Sequence, residues 1–358
     1  MQYFNLYANC KVVRGAARST ICDLQRQEVL FIPNEVADLL TLTQTKSVVE
    51  IKAHYEHAYD TIIDENFAWL EGKELGFFTQ NPEWFAPIKD VWHEPYPLSN
   101  AIVDRDASSA YDLTEAVLAV GSMPCRHMQV RFFDEVAVSE ITTLLYRLEK
   151  EASPLEGIEF VVPYHVYWQD AALQEALSSK PRFAGMHIYG APENATISAR
   201  RPNNTGHITF STASIQGSED CGCIVSGRFS SNMKMYTEAQ SYNSCLNRKI
   251  SIDSKGNIKN CPSMQRSYGN IADTSLRTAL EHPDFKKLWG ITKDQIHVCK
   301  DCEFRFICTD CRAYVEDPAD IKSKPLKCGY NPYTAEWSDW KEDEGKRKIF
   351  AEYNTVHH

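Results

Sequence analysis

The sequence predicts an α/β protein built from three parts, each with its own pattern. Residues 98–217 alternate short apolar segments with helical segments, as in a parallel sheet or part of a (β/α) barrel. Residues 1–80 hold short strands followed by three helices, a winged-helix-like pattern. Nine of the twelve cysteines lie between residues 221 and 328, in a segment rich in loops. The 358 residues suffice for two or three domains with hydrophobic cores.

The first part, residues 1–80, carries clear strand and helix signals. Aromatic and β-branched residues predict strands at residues 3–10, 20–24 and 28–32. The first helix is expected after Pro33, with Asn34 as its N-cap. The second opens with Ser47 and Glu50, which have the spacing of a capping box. The third covers residues 58–75 with an apolar stripe at helical spacing, and a last strand is predicted at residues 77–79.

The second part, residues 98–217, follows a proline-rich linker at residues 81–97. Strands are predicted at residues 101–103, 127–133, 157–162, 184–189 and 206–211. Helices are predicted at residues 111–120, 138–150 and 170–178. Because helices connect successive strands, the strands are expected to run parallel.

Charge and hydropathy exclude several classes of protein. The net charge of -10 argues against nucleic-acid binding, which needs a basic surface. No apolar segment approaches the roughly 18 residues of a membrane-spanning helix. The N-terminus lacks the charged leader and apolar core of a secretion signal. We therefore expect a soluble cytoplasmic protein without membrane partners, whose cysteines are thiols or metal ligands rather than disulfides.

The spacing of the later cysteines is the most informative pattern in the chain. Cys245 and Cys261 flank a segment in which Gly256 permits a tight hairpin turn. The remaining cysteines of the series are Cys299, Cys302, Cys308, Cys311 and Cys328. Thiolates select zinc, copper(I) or iron–sulfur clusters, and the supply fits two four-cysteine sites.

Zinc remains an open alternative to iron and sulfide at these sites. The Cys-x2-Cys pairs of one structural zinc site usually lie about 15–20 residues apart. Here only five residues separate the two pairs of the run. Iron–sulfur clusters are therefore the favoured interpretation.

The order and spacing of the seven cysteines from Cys245 to Cys328 resemble the SPASM domain, the auxiliary-cluster module of radical SAM peptide-modifying enzymes. The chain departs from that pattern at one point, because two residues, Thr309 and Asp310, precede the last cysteine of the run where three are usual. Residues 243–253, 260–263, 268–271 and 302–312 are similar to the peptide maturases of the "grasp-with-spasm" type. Those proteins accompany an ATP-grasp ligase and a precursor peptide in a ribosomal-peptide pathway.

The resemblance implies two 4Fe–4S clusters held by cysteines alone. The ligands that it implies for the first site are Cys245, Cys261, Cys311 and either Cys223 or Cys221. The ligands that it implies for the second site are Cys299, Cys302, Cys308 and Cys328. The cysteine-rich SPASM part is expected to cover residues 218–335, and a charged helix or tail is expected at residues 336–358.

The cysteine triplet of radical SAM enzymes, Cys-x3-Cys-x2-Cys, is absent from the chain. In those enzymes it follows the first barrel strand, whereas residues 104–110 contain no cysteine here. The second part is therefore expected to be a degenerate, partial radical-SAM-like barrel that does not cleave SAM. No catalytic residue is identified by the sequence.

The first part resembles a peptide-recognition element of these pathways, in which a leader peptide adds as a strand to a small sheet. The residues that this resemblance implies for peptide binding are Val29, Phe31, Tyr59 and Ile63. A generic domain packed on the barrel is the alternative. The whole resemblance implies an accessory maturation protein that binds the precursor and works with an ATP-grasp ligase. A redox enzyme acting through its clusters and a zinc-stabilised binding scaffold remain open.

Overall fold

The computed structural model describes residues 1–198 and 206–355, and the structural statements below concern those residues. The strands are β1 (Tyr3–Leu6), β2 (Cys10–Arg14), β3 (Ser19–Asp23), β4 (Glu28–Ile32), β5 (Gly76–Thr79), β6 (Leu98–Arg105), β7 (Cys125–Phe132), β8 (Gly157–Pro163), β9 (Phe183–Tyr189), β10 (Ala195–Ser198), β11 (His207–Ser211), β12 (Lys249–Ile252), β13 (Ile258–Lys259), β14 (Tyr330–Asn331) and β15 (Glu336–Trp337). The helices are α1 (Asn34–Leu42), α2 (Val48–His54), α3 (Asp60–Gly72), α4 (Leu113–Gly121), α5 (Val138–Lys150), α6 (Ala171–Ser178), α7 (Met233–Ser241), α8 (Leu276–Glu281) and α9 (Glu344–Thr355).

The chain forms two compact units, and each is assembled from segments distant in sequence. The first unit contains Met1–Trp92, Ile224–Ser244 and Ile291–Tyr353. The second contains, of the described residues, His93–Cys223, Cys245–Gly290, Asn354 and Thr355. The sequence predicts three continuous parts, whereas both observed units are discontinuous in sequence. The cysteines of the predicted SPASM part, residues 218–335, are therefore divided between the two units. Residues 199–205 of the predicted barrel and 356–358 of the predicted tail lie outside the described residues.

The first unit is built on a three-stranded antiparallel sheet, β2–β3–β4, with β4 at one edge. The five residues of β3 are all buried because both faces of this sheet are covered. Ile21 points to a core formed with α1, α2 and α3, while its neighbour Cys22 points to a core formed with residues 224–330. This alternation is the period-2 pattern of a strand, here covered on both sides.

Two predictions for residues 1–80 are wrong. The predicted strand over residues 3–10 is broken by a turn in which the Cys10 amide donates to the Tyr7 carbonyl, and β1 pairs with β5 instead of with β2. Asn34 is not an N-cap but the first residue of α1, and its side chain bonds Ser19 instead. The strand at 28–32 and the capping box at Ser47 are confirmed.

The second unit is a mixed α/β structure around an eight-stranded, mostly parallel sheet. Its strand order is β10–β11–β9–β8–β7–β6–β12–β13, and only the end strands β10 and β13 pair antiparallel to their neighbours. Helices α4, α5 and α6 connect successive parallel strands, as predicted. The predicted helix at residues 138–150 is confirmed as α5, whose buried face carries Ile141, Leu144, Leu145 and Leu148.

No helix in the described part of the chain combines the length and apolar character needed to cross a membrane.

Candidate metal centre

Four cysteines of the first unit line one cavity and form the second cysteine group, which is Cys299, Cys302, Cys308 and Cys328. They are the four residues that the SPASM resemblance implies for the second site. Three of them are buried and Cys302 is partly buried, and all are free thiols. The other walls of the cavity are mostly apolar and aromatic, and include Ile224, Phe229, Phe304, Tyr330 and Trp337. The structure therefore gathers four thiols in a pocket that largely excludes water.

Loops rather than regular elements hold the second cysteine group. Cys299 starts a short 3-10 turn directly after Val298, a β-branched residue with a φ of 66°. The Cys308 carbonyl accepts a hydrogen bond from the Ser244 hydroxyl (3.1 Å). Cys328 forms an isolated parallel bridge with Ile224, and its carbonyl accepts from Lys346 Nζ (2.8 Å). These bonds fix the loop backbones independently of any metal.

A buried ammonium group lies beside the second cysteine group. Lys293 is only 4% exposed, and its Nζ lies 4.0 Å from Cys299 Sγ and 3.3 Å from Asp310 Oδ1. Burial lowers the pKa of Lys293, but the surrounding thiols and Asp310 together raise it by more. The pKa of Lys293 therefore lies well above its ordinary value. Asp310 is itself held by Arg312 (2.8 Å) and Asn243 (2.6 Å). The lysine is therefore a fixed positive charge at the thiols.

Burial controls the protonation of these thiols. It raises the pKa of Cys308 to about 12, although Lys293 acts in the opposite direction. Burial also raises the pKa of Cys302 well above its ordinary value. The thiols of Cys302 and Cys308 are therefore protonated at neutral pH without a metal, and metal binding to them must release protons.

The second cysteine group packs against the N-terminal sheet within the first unit. We call residues 299–311 the cysteine loop. Phe304 of this loop contacts Phe31 of β4 edge-to-face, with ring centroids 5.8 Å apart. The guanidinium of Arg18 lies 3.7 Å from the Phe31 ring centroid. One wall of the cysteine cavity is thus continuous with the edge strand β4.

Three cysteines of the second unit interact electrostatically with another lysine, Lys249, and form the first cysteine group, which is Cys221, Cys245 and Cys261. The ammonium of Lys249 donates to Cys245 Sγ at 3.4 Å. Burial lowers the pKa of Lys249, while the charges of these three thiols raise it, and the net shift is upward. Burial raises the pKa of Cys261 to about 11, with Lys249 opposing and the two other thiols reinforcing.

The β12–β13 hairpin brings these residues together. Ser251 pairs with Lys259, and continuing this register places Lys249 opposite Cys261. Gly256 turns the hairpin with a φ of 81°, as the sequence predicts. The Asn260 side chain donates to the Leu246 and Lys249 carbonyls (3.1 and 2.7 Å) and closes the loop that carries Cys245. Cys245 and Cys261 are therefore positioned by local backbone geometry.

Cys311 and Cys223, which are also predicted for the first site, do not belong to the first cysteine group. Cys311 belongs to the first unit and is buried there. Cys223 lies two residues after Cys221 and is partly buried. Of the two upstream cysteines, Cys221 is the one that, as a thiolate, raises the pKa of Cys261, Lys249 and Arg131. The assignments of Cys223 and Cys311 as ligands remain predictions.

Residues 244–303 match the family model of SPASM, described as an iron–sulfur cluster-binding domain. The chain carries a SPASM domain. Cys245, Cys261, Cys299 and Cys302 lie inside the matched residues. A search of curated proteins found no match. SPASM domains bind iron–sulfur clusters, so this is the metal chemistry indicated for the cysteines.

The residues around the second cysteine group fit a four-thiolate cluster. They supply four free thiols, apolar walls and a buried cation to balance negative charge. Within residues 1–198 and 206–355, no three His, Cys, Asp or Glu side chains stand close enough to hold a single metal ion. The fit to a cluster therefore rests on the lining of the cavity and on its charge.

A buried ion pair occupies the carboxyl ends of the first two parallel strands in the second unit. Arg131 of β7 donates from Nε and Nη2 to the two oxygens of Asp104 in β6, both at 2.6 Å. Asp104 is 1% exposed and Arg131 is 7% exposed. The loop that follows β6 contains serine, alanine and aspartate but no cysteine. This end of the sheet therefore offers charge and hydroxyl groups rather than thiolates.

The predicted peptide-binding residues fall in different environments of the first unit. Phe31 and Tyr59 are half-exposed. Val29 is partly buried against the core around the cysteine loop. Ile63 is buried in the core beneath α3, whereas its neighbour Ile62 is exposed. The exposed large apolar side chains of β4, of α3 and of its N-cap are therefore Phe31, Tyr59, Ile62 and Trp69.

Sequence reasoning missed the charged residues around the cysteines, above all Lys249, Lys293 and Glu303. Lysine and glutamate are usually exposed, and no local pattern marks these three as buried. Their positions close to cysteines in the sequence are the only signal that could have indicated them.

Proposed function

We propose that this protein is an iron–sulfur accessory protein for maturation of a ribosomally synthesised and post-translationally modified peptide. It binds the precursor peptide and works with an ATP-grasp ligase. The observation that carries the proposal is the shared wall between the four-cysteine cavity and the edge strand β4, formed by Phe304 and Phe31. A peptide added to β4 would run beside the cysteine loop.

Two four-iron clusters are assigned to the cysteines in this proposal. The second is held by Cys299, Cys302, Cys308 and Cys328. The first is held by Cys245, Cys261 and Cys311, together with Cys223 or Cys221, and the electrostatic interaction between Cys221 and Cys261 supports Cys221. When bound, such clusters accept and release single electrons and hold the loops that ligate them. The absence of the SAM-cluster triplet supports a role without SAM cleavage.

Strand addition is the proposed mode of precursor binding. The strand β4 is an edge of its sheet, and an extended peptide gains backbone hydrogen bonds there while side-chain pockets select its sequence. Phe31 on β4 and Tyr59 beside α3 offer half-exposed aromatic rings for that contact. The ligase, rather than this chain, would join acidic side chains of the precursor to hydroxyls or amines.

A redox enzyme is the second candidate function, and one observation favours it. Each cysteine group has a buried lysine at a thiol, which is a means of tuning a cluster for electron transfer. If this function holds, the precursor should change mass when it is incubated with the reduced protein without ligase. An unchanged mass would leave the accessory role.

Metal analysis after strictly anaerobic purification tests the cluster assignment. We expect about eight irons and eight sulfides per chain, as two four-iron clusters require. Zinc without sulfide would contradict the proposal and indicate a zinc-stabilised scaffold.

Precursor binding is tested by calorimetry with synthetic peptides taken from open reading frames that flank the gene. Deleting residues 1–80 would expose the core they share with the cysteine loop, so point variants are sharper probes. Phe31→Ala and Tyr59→Ala should each weaken binding, whereas Trp84→Ala, which removes a 74% exposed ring elsewhere, should not. Equal affinities for all three variants would remove β4 and α3 from the proposal.

A further inference from the structure

Both cysteine groups share one feature besides their thiols. Each has one lysine ammonium buried against a cysteine sulfur: Lys249 at Cys245 (3.4 Å) and Lys293 at Cys299 (4.0 Å). The two lysines are 9% and 4% exposed. Burying an ammonium group is costly unless a negative partner balances it. The partner at each lysine must therefore carry negative charge in the assembled protein.

The two lysines differ in how much other charge surrounds them. Lys293 also contacts Asp310, which is shared with Arg312 and Asn243. The pKa of Lys249 is raised chiefly by the three thiols of the first cysteine group. For Lys249 the thiols are thus the main source of compensating charge. For Lys293 the thiols supplement a carboxylate that other donors already hold.

We propose that Lys249 and Lys293 are positioning residues that each set the charge balance, and hence the reduction potential, of the iron–sulfur cluster in its own cysteine group. The inference rests on the proposed clusters. A cluster held by four thiolates carries net negative charge, and this charge increases by one when an electron enters. A fixed cation a few ångströms away stabilises the reduced state more than the oxidised state. Each lysine therefore raises the potential of its neighbouring cluster.

The redox step itself is simple. One electron from an added reductant enters the cluster, no bond forms or breaks, and the lysine keeps its proton. Hydrogen bonds to sulfur and local charge are among the factors that spread the potentials of such clusters over a wide range. A lysine at the sulfur supplies both factors at once.

The test is a dithionite titration of the anaerobically purified full-length protein, followed by electron paramagnetic resonance. The wild type should show two reduction waves. Lys249→Met should move one wave to more negative potential, and Lys293→Met should move the other. We expect at least a tenfold fall in the reduced-to-oxidised ratio at a fixed potential, which equals 59 mV for a one-electron couple.

Two exposed lysines provide matched controls. Lys300 directly follows Cys299, and Lys255 lies in the β12–β13 turn, yet both are solvent-exposed. Their charges are screened by water and salt, so Lys300→Met and Lys255→Met should shift neither wave measurably. If the buried-lysine variants shift the waves no more than these controls do, the inference is wrong.

Iron and sulfide content, measured on every variant, separates this inference from the proposed function. If the wild type lacks iron, the proposed function and this inference are both contradicted before any potential is measured. If the variants retain their iron but their reduction waves do not shift, only the inference is contradicted. If a methionine variant loses its cluster, the iron content of the corresponding arginine variant tests whether the positive charge is the cause. Retention with Lys293→Arg shows that the positive charge is needed, and loss with arginine as well overturns the inference.

Discussion

The guanidinium of Arg18 donates from Nε to Oε1 of Glu303 across 2.8 Å, and this bond joins the β2–β3 turn to the cysteine loop. Glu303 is fully buried, directly after Cys302, and its carboxylate also accepts from the Tyr330 hydroxyl. Backbone bonds reinforce the contact, since the Ala16 amide donates to the Asp301 carbonyl (2.8 Å). The N-terminal sheet thus orders the loop that carries three thiols of the second cysteine group.

Removing the arginine should cost more than neutralising the glutamate. Among the described residues, Arg18→Ala leaves the buried carboxylate bonded to the Tyr330 hydroxyl alone, and we expect a loss of about 2 kcal/mol in the free energy of unfolding. Glu303→Gln leaves a partly exposed arginine and should cost about 1 kcal/mol. Urea denaturation of the protein measures both.

Arg14 provides the matched control for Arg18. Arg14 lies in the same hairpin as Arg18 and pairs with Asp38 of α1, but both of these side chains are more than half exposed. Arg14→Ala should therefore lower the free energy of unfolding by less than about 1 kcal/mol. Equal costs for the Arg14 and Arg18 variants would show that the buried bond to Glu303 does not stabilise the docking.

Gly15 is required where the hairpin meets the cysteine loop. A Cβ at this position would lie 2.5 Å from the Arg18 carbonyl oxygen and 2.9 Å from the Glu303 Cβ and amide nitrogen. Because backbone atoms on both sides must move, Gly15→Ala should destabilise the protein by about 1–3 kcal/mol. Its iron content should fall as well, because the cysteine loop is displaced.

Gly72 gives the opposite expectation and serves as the control for Gly15. It ends α3, and a Cβ there meets no atom within 4 Å. Gly72→Ala should therefore stabilise the protein by about 0.5–1 kcal/mol through helix propensity alone. Thermal unfolding distinguishes the two signs, and a loss of stability in both variants would contradict the packing argument.

Local pattern predicted much of the fold because the deciding contacts are close in sequence. The bounds of β4 and α5 match the structure, since each has a periodic apolar face and a clear terminus. The break between β1 and β2 was not predictable in this way. It depends on pairing with β5, about seventy residues later, which no local periodicity reports.

The candidate site also has features that the sequence predicts and features that it does not. The spacing of Cys299, Cys302 and Cys308 is a local property, and the structure brings these residues together with Cys328. The position of Lys293 is a tertiary property, because nothing in the sequence distinguishes it from the exposed Lys300 a few residues later. Burial of a charge is decided by what packs over it, and that information is spread across the whole unit.

The choice between Cys221 and Cys223 can be settled by paired variants. Cys221 interacts electrostatically with Cys261 and Lys249, so Cys221→Ala should reduce the iron content from about eight to about four per chain. Cys223→Ala should retain the full content. The second cysteine group is complete without either residue and serves as the internal reference. The reverse pattern would assign the ligand to Cys223.

Stability should fall at alkaline pH because Cys22 must stay protonated in the folded state. Burial raises its pKa from 9.0 to about 11. Between these values the unfolded chain has lost the thiol proton while the folded chain still holds it, so unfolding becomes easier as pH rises. This group stabilises the fold fully below about pH 9, and its contribution is lost as pH rises through about 11, at up to about 1.4 kcal/mol per pH unit.

The Cys22→Ala variant isolates this effect from the other titrating groups. Its free energy of unfolding should be lower than that of the wild type by a constant amount below pH 8, because a buried sulfur is lost. Above pH 9 the difference should narrow, since the variant no longer carries a proton that the unfolded chain releases first. Urea denaturation at half-unit steps from pH 7.5 to 10.5 measures both regimes. Parallel curves over the whole range would mean that Cys22 does not hold its proton in the folded protein.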